Sequence, residues 1–172
     1  MYPEILYVMA EDLLDACREH NLTLALAESC TGGLVAGCIT AIPGSSDVLD
    51  RGFVTYTNTS KSQMLGVSPE LFDHVGAVSE EVARAMAEGA IPNSSANIAL
   101  SVTGIAGPGG GTAQKPVGLV YIACARSGFE TRVERHVFDP GPGDGEQQRH
   151  RVRIQAVESS LKLLLNCCAV TI

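Results

Sequence analysis

The sequence of 172 residues lacks several features that would place it in a class at once. No apolar run approaches the ~20 residues that a membrane-spanning helix requires. The six cysteines form no CxxC pair and no cluster with histidine, so we expect neither a zinc site nor another metal site. Lys and Arg number 12 against 19 Asp and Glu, a net charge of −7. That balance disfavours binding to nucleic acid or to an anionic membrane, although a local basic pocket for one phosphate remains compatible with it.

The composition is that of a globular protein, with 45% hydrophobic and 18% charged residues. The length suits one domain of moderate size, and we expect residues 1–172 to form it, since no repeat, heptad pattern or linker divides the chain. No secretory signal pattern is evident, and several cysteines lie inside apolar runs. We therefore expect reduced thiols and a cytoplasmic protein.

Hydrophobic spacing and turn residues predict an alternation of helices and strands. Ser79 is a good N-cap for the helix "EEVARAMAEGA", and the turn "PGSSD" precedes a short helix. The polar segment "NTSKSQMLG" connects the second strand to a helical turn, "SPELF". In chain order we predict helix 3–19, strand 22–27, helix 34–42, strand 52–57, helix 80–90, strand 97–104, a hairpin of 117–125 with 131–138, and a C-terminal helix that ends near 168. This order favours an α/β fold with a mixed β-sheet and helices on both faces.

Three polar motifs follow predicted strands: "ESCTGG", "TYTNTSK" and "TGIAGPGGG". In open α/β sheets, ligands bind at the carboxyl ends of the strands. We therefore expect the three motifs to lie together and to form a site.

Ser29 of "ESCTGG" lies where a strand passes into a helix, and the glycines after it permit a close backbone approach. A serine placed there suits a nucleophile, but it needs a base. Cys30 is the rival nucleophile, and an ordinary turn whose Ser and Thr cap the helix is the alternative. None of the four histidines falls inside a strand-end motif, so a Ser-His-Asp triad has little support.

Lys61 of "TYTNTSK" is the better candidate base because Ser-Lys pairs replace Ser-His pairs in some hydrolases. The amine must then be partly neutral, which requires its pKa to fall by roughly 3 units from ~10.4. Burial and a nearby cation such as an arginine would lower the pKa in that direction. A solvated surface lysine is the ordinary alternative.

The glycine-rich run after the third strand exceeds the need of a turn and suits backbone N–H donors for an oxyanion or a phosphate. It matches neither a Walker A motif nor a dinucleotide fingerprint, and a flexible surface loop is the alternative. Arg149 and Arg153 lie four residues apart on the last helix. Such a pair suits phosphate binding, with surface ion pairs as the usual alternative.

Taken together, "ESCTGG", "YTNTSK", "GAVSEEVARAMAEGA", "TGIAGPGGGT", "KPVG" and "RVRIQAV" resemble the CinA C-terminal domain family. The resemblance runs from about residue 5 to about residue 165, and its nearest type is the PncC nicotinamide-nucleotide amidohydrolases. It implies the metal- and cofactor-independent hydrolysis of nicotinamide mononucleotide (NMN) to nicotinate mononucleotide and ammonia, and it makes a homo-oligomer plausible.

The resemblance also implies roles for individual residues. Ser29 is the expected nucleophile and Lys61 its base, while Ser46 and Tyr56 supply supporting hydroxyls in the proton path. The expected substrate contacts are Glu28, Thr31, Gly32, Thr103, Gly104, Gly109, Gly110 and one or both of Arg149 and Arg153. Two alternatives stay open: a nucleotide-binding or nucleotide-sensing domain with a degenerate site, and an amidase for another small amide.

Overall fold

The computed structural model describes residues 2–169, which contain five strands and six α-helices. The strands are β1 (Leu24–Glu28), β2 (Leu49–Val54), β3 (Ile98–Gly104), β4 (Leu119–Arg126) and β5 (Arg132–Val137). The helices are α1 (Glu4–Glu19), α2 (Leu34–Thr40), α3 (Asn58–Leu65), α4 (Pro69–His74), α5 (Glu80–Ala90) and α6 (Gly145–Cys168). A short 3₁₀ helix covers Ser45–Asp47.

The strands form one mixed sheet in the order β2-β1-β3-β4-β5. Strand β1 is parallel to both of its neighbours, and β4 is antiparallel to both of its own. In the parallel part, Glu28 lies level with Val54 on one side and with Val102 on the other. The carboxyl ends of β1, β2 and β3 therefore meet at one edge of the sheet, as the sequence motifs require.

Helices cover both faces of the sheet, because the strands bury side chains on both. On one face, Leu24 and Leu26 of β1 pack in a cluster with α1, α2 and α6. On the other face, Ala25 and Ala27 pack with α3, α5 and the partly buried apolar residues of α4. The predicted α/β class with helices on both faces is confirmed.

Several predicted elements are found where the sequence placed them. Helix α5 begins after Ser79, whose hydroxyl accepts a hydrogen bond from the amide of Val82 at 3.3 Å. The hairpin of β4 and β5 is also present. Among residues 2–169, no helix is both long and apolar enough to cross a membrane.

Two local predictions were wrong. Strand β2 covers Leu49–Val54 rather than residues 52–57, because Thr57 leaves the sheet to cap a helix. That helix, α3, occupies the segment interpreted as a polar connection. Thr57 and Ser60 cap it reciprocally, and Gly66 ends it with a left-handed φ of 71°. Its residues have almost no apolar period, so the pattern gave no sign of it.

Candidate active site

The alternation of side chains along β1 decides where Ser29 points. Even-numbered residues of this strand face α1, α2 and α6, so Glu28 faces α2. The amide of Ser29 donates to the carbonyl of Val102 at 2.9 Å, which extends the pairing by one residue. The Ser29 side chain therefore turns to the opposite face, where α3 packs.

Helix α3 carries Lys61 to this serine. The Lys61 ammonium nitrogen, Nζ, lies 3.0 Å from Ser29 Oγ and 2.8 Å from the carbonyl oxygen of Thr55. The lysine is only 1% exposed, although α3 itself lies near the surface. A solvated surface lysine is thus not what the structure shows, and the two side chains are within hydrogen-bond reach.

Burial lowers the pKa of Lys61 from its ordinary value, and the nearby Cys30 thiol acts weakly in the opposite sense. Arginine, which the sequence offered as a further cause, does not contribute to this shift. Lys61 Nζ donates to the carbonyl of Thr55 and to Ser29 Oγ, and once the amine is neutral the same contact lets it accept the Ser29 proton. The Thr55 carbonyl therefore orients the amine as a base toward Ser29.

Cys30 is a poor rival for Ser29. It is 6% exposed, and burial raises the pKa of its thiol to about 12. A thiol that stays protonated at neutral pH is a weak nucleophile. All six cysteines of the chain are unbridged and buried.

A cavity of about 300 Å³ opens beside Ser29 and Lys61 at the carboxyl ends of the strands. It brings together parts of all three polar motifs and the start of α6. The predicted site residues that line it are Ser29, Tyr56, Lys61, Thr103, Gly104, Gly109, Gly110 and Arg149. A larger cavity, about 610 Å³, lies between the β4-β5 turn and the end of α6 and contains none of the predicted site residues.

Outside the glycine-rich segment that begins at residue 105, three further residues line the cavity without having been singled out from the sequence. Ala77 and Val78 form an apolar wall before α5, and Asn58 is the first residue of α3. All three belong to motifs that carried the family resemblance. The motifs indicated the region of the site, but nothing in their local pattern distinguished the residues that line the cavity from the rest of each motif.

Ser46 lies elsewhere. It is exposed in the 3₁₀ helix before β2, and β2 starts with Leu49 level with Leu24 at the amino end of β1. Ser29 follows the carboxyl end of the same strand. The structure therefore places Ser46 and Ser29 at opposite ends of β1 and gives the predicted proton-path role of Ser46 no geometric support.

Four residues that were predicted to contact the substrate do not line the cavity: Glu28, Thr31, Gly32 and Arg153. The Glu28 carboxylate accepts hydrogen bonds from backbone N–H groups at the start of α2. Arg153 donates to the carbonyl of Thr31 at 2.7 Å. A Cβ built on Gly32 would lie 3.4 Å from the Arg153 guanidinium. These contacts are internal to the protein.

Arg149, in contrast, reaches the cavity. Its guanidinium donates to the Gly107 carbonyl at 2.8 Å and to the Tyr56 hydroxyl at 2.7 Å. The arginine therefore bridges the glycine-rich loop and the loop after β2, and it brings a positive charge to the mouth of the cavity. Tyr56 is 59% exposed, and its hydroxyl contacts Arg149 rather than the Ser-Lys pair.

The opposite wall is fixed by two side chains that bind backbone carbonyls. Thr103 donates its hydroxyl proton to Ala77 at 2.8 Å. The Lys115 ammonium donates to Val75 and Val78 at 2.6 and 2.8 Å. The segment that carries the apolar wall is therefore held to β3 and to the segment after the glycine-rich loop.

The assembled groups can perform acyl transfer. An oxygen nucleophile lies within hydrogen-bond distance of a buried amine of lowered pKa, and residues of the glycine-rich loop and the Arg149 guanidinium line the same cavity. These are the components that hydrolysis of an amide needs: an activated hydroxyl, a proton carrier and donors for an oxyanion.

Comparison with known proteins agrees with the fold and the motifs. Residues 6–168 match the family described as "CinA C-terminal domain". A CinA-like protein of Geotalea uraniireducens (strain Rf4) is 51% identical over 167 residues, 93% of this chain and 39% of that protein. A CinA-like protein of Geobacter sp. (strain M21) is 53% identical over 150 residues, 83% of this chain and 35% of its own length. The chain thus spans well under half the length of these curated relatives.

Solved structures of similar chains match along almost the whole length. The competence/damage inducible protein CihA from Agrobacterium tumefaciens has a TM-score of 0.89 and 43% identity, over 96% of this chain and 98% of that one. The competence damage-inducible protein A (ComA) from Klebsiella pneumoniae has a TM-score of 0.85 and 31% identity, over 94% and 95%. The chain belongs to the CinA C-terminal domain family.

Proposed function

We propose that the protein hydrolyses the carboxamide of nicotinamide mononucleotide to nicotinate mononucleotide and ammonia. The observation that carries the proposal is the 3.0 Å contact between Lys61 Nζ and Ser29 Oγ at the edge of a cavity. The choice of substrate rests on the resemblance to the PncC-type members of the family.

Acylation begins when Ser29 Oγ attacks the amide carbon and neutral Lys61 takes the hydroxyl proton. The tetrahedral intermediate then collapses, the C–N bond breaks, and the lysine ammonium returns its proton to the departing nitrogen, which leaves as ammonia. Water next attacks the serine ester and gives its proton to Lys61. The second tetrahedral intermediate collapses, Lys61 returns the proton to Ser29 Oγ, and the carboxylic acid product leaves and gives its own proton to ammonia or water. No proton is lost or gained by the enzyme over the cycle.

The negative charge on the intermediate needs hydrogen-bond donors. The N–H groups of Ala106, Gly107 and Gly109 have no acceptor among the described residues, and these residues line the same cavity as Ser29. Donors that are fixed before the reaction stabilise an oxyanion without reorganisation, and removing one costs about 10²–10³ in kcat in a comparable hydrolase. In this proposal the glycine-rich loop supplies them.

The two ends of the substrate suit the two sides of the cavity. Ala77 and Val78 give an apolar surface for a pyridine ring, and Arg149 gives a guanidinium for the phosphate. Arg149 must then exchange a carbonyl and a hydroxyl for phosphate oxygens, which are the stronger acceptors. Arg153 is committed to Thr31 and is the weaker candidate for phosphate binding.

The test is ammonia release by the purified protein from NMN, compared with nicotinamide riboside, nicotinamide and glutamine. We expect the highest kcat/KM with NMN, a large loss with the riboside, which lacks the phosphate, and no turnover by Ser29→Ala. Full activity of Ser29→Ala would remove the mechanism. A preference for another amide would keep the chemistry and change the substrate. A rise in melting temperature with NMN but no turnover would instead show a degenerate binding domain.

A further inference from the structure

A buried carboxylate lies directly behind the nucleophile. Glu28, the residue before Ser29, is 1% exposed, and its side chain carries three hydrogen bonds from backbone amides. Gly33 and Val35 donate to Oε2 at 3.0 and 3.1 Å, and Ala36 donates to Oε1 at 2.9 Å. Buried carboxylates are rare unless a partner charge or hydrogen bonds stabilise them, and here hydrogen bonds from backbone N–H groups do so.

These amides belong to the start of α2, whose first turn leaves unpaired N–H groups. The usual cap is a polar side chain on the residue before the helix. That residue is Gly33, which has a left-handed φ of 93° and no side chain. Glu28 performs the capping from five residues upstream, and its negative charge lies at the positive end of the helix.

This contact closes a loop around the nucleophile. The backbone of Glu28 is paired in the sheet with both neighbouring strands, while its carboxylate holds α2. The residues between those two points therefore have fixed ends. Within the loop, the Gly32 amide donates to the Ser29 carbonyl at 3.0 Å. On the outer side, Arg153 holds the Thr31 carbonyl.

We propose that Glu28 is a positioning residue: its carboxylate fixes the loop that carries Ser29, so that Ser29 Oγ stays within hydrogen-bond reach of Lys61. The Thr31 contact of Arg153 is the second, weaker restraint on the same loop. The inference rests on the proposed function for its reaction but not on the identity of the amide. It assigns both residues to the protein's internal support instead of to substrate contacts.

The arrangement of the carboxylate argues for this role. Both oxygens of Glu28 are occupied by backbone amides, and the residue does not line the cavity. A displacement of Ser29 by about 1 Å would cost on the order of 10²-fold in rate. A purely structural carboxylate would change stability alone, whereas a positioning residue changes kcat with little change in KM.

The test uses Glu28→Gln, which keeps the shape but replaces one acceptor oxygen by an NH₂ group that faces an N–H donor. Glu81→Gln is the matched control, since Glu81 is an exposed acid in the first turn of another helix, α5. Two rates are measured: kcat for NMN, and phosphonylation of Ser29 by an alkyl fluorophosphonate. In the second reaction an Oγ–P bond forms, fluoride leaves and Lys61 takes the proton. Ser29→Ala identifies the labelled residue.

We expect Glu28→Gln to slow both reactions at least ~10-fold, with KM for NMN within about twofold, and Glu81→Gln to match the native protein. Labelling and kcat at native rates in folded Glu28→Gln would overturn the proposal, as would a native protein that the phosphonate does not label. If Glu28→Gln does not fold, Arg153→Met replaces it, with slower labelling expected and native labelling contradicting the proposal.

The two proposals fail in different ways. If the native protein is labelled quickly but releases no ammonia from NMN, the proposed function fails and the positioning role is judged on labelling alone. If NMN is hydrolysed and Glu28→Gln is unaffected, the function stands and the positioning role fails.

Discussion

Two loops that follow the neighbouring strands β1 and β3 line the cavity, and their backbone N–H groups differ in how many have an acceptor within the protein. In the loop of residues 29–33, several backbone groups form hydrogen bonds within the protein. The Gly33 amide donates to the Glu28 carboxylate, the Gly32 amide donates to the Ser29 carbonyl, and the Thr31 carbonyl accepts from Arg153. In the loop of residues 105–111, several N–H groups have no acceptor among the described residues. The first loop binds part of its own backbone, although the N–H groups of Cys30 and Thr31 have no acceptor among the described residues, and the second loop leaves more of its donors open.

The difference follows from what each loop must supply. A nucleophile has to stay near its base, so the loop that carries it benefits from every internal restraint. Donors for an oxyanion must be free until the reaction generates the charge, yet already in place. A loop therefore cannot both bind its own amides and offer them to a substrate. Substitutions in and around the two loops can test this division.

The strongest test is the removal of the amine that α3 presents to Ser29. Lys61→Met should lower kcat for amide hydrolysis by about 10³-fold or more, because the Ser29 hydroxyl then lacks a base. Steady-state ammonia release measures the loss. Lys162→Met is the control, since Lys162 is an exposed lysine paired with Glu158 and should leave kcat unchanged. A loss of less than tenfold in Lys61→Met would mean that another group takes the proton.

The pH dependence tests the protonation state of the same pair. Burial lowers the pKa of Lys61, and only its neutral form accepts a proton, so kcat/KM should rise with pH through that lowered pKa and then level off. Below this pKa, activity should fall about tenfold per pH unit. A rate that rises only near the ordinary lysine value of ~10.4 would contradict a lowered pKa, and a rate that is flat from about pH 5 to pH 9 would show that no group titrating in that range limits the reaction.

The sequence predicted the residues of this site more readily than the contacts that hold them in place. Ser29 follows an apolar strand and precedes two glycines, a pattern that topology alone turns into a strand-end site. Its partnership with Lys61, however, spans 32 positions: the sequence made Lys61 a candidate base, and the family resemblance assigned it that role. No period in "NTSKSQML" indicates α3, because the helix is set by the Thr57-Ser60 cap and by a lysine that points inward.

Glu28 shows why the remaining residues could not be assigned. A glutamate at the end of an apolar strand resembles a substrate contact as much as a cap, and only the fold brings its carboxylate to the amides of α2. Ser46 is the opposite case. It belongs to a motif of the family, but β2 runs parallel to β1 and starts level with the amino end of β1, so the residues before β2 lie away from the site. Long-range pairing decided both cases.

The backbone of residues 105–111 packs closely against the segment around Val117 at Gly111 but not at Gly109. Glycine substitutions at these two positions therefore test whether that packing fixes the loop. A Cβ on Gly111 would lie 2.7 Å from the backbone nitrogen of Val117, whereas Gly109 has nothing within 4 Å. Gly111→Ala should therefore lower the free energy of unfolding by about 1–3 kcal/mol, and Gly109→Ala should change it by less than about 0.5 kcal/mol. Denaturant unfolding measures both, and equal stabilities would show that the loop adapts freely.

The smallest expected effect concerns Tyr56, at the border between the two loops. Its hydroxyl is exposed and accepts a hydrogen bond from Arg149, so Tyr56→Phe removes one orienting contact of the arginine and none of the Ser-Lys pair. We expect KM for NMN to change by about threefold and kcat by less than about twofold, because the hydrogen bond is solvent-exposed. Tyr121→Phe, on β4 and outside the lining of the cavity, is the control. A fall in kcat of about 10²-fold at constant KM would instead place the Tyr56 hydroxyl in the proton path and would require it to approach Ser29 when substrate binds.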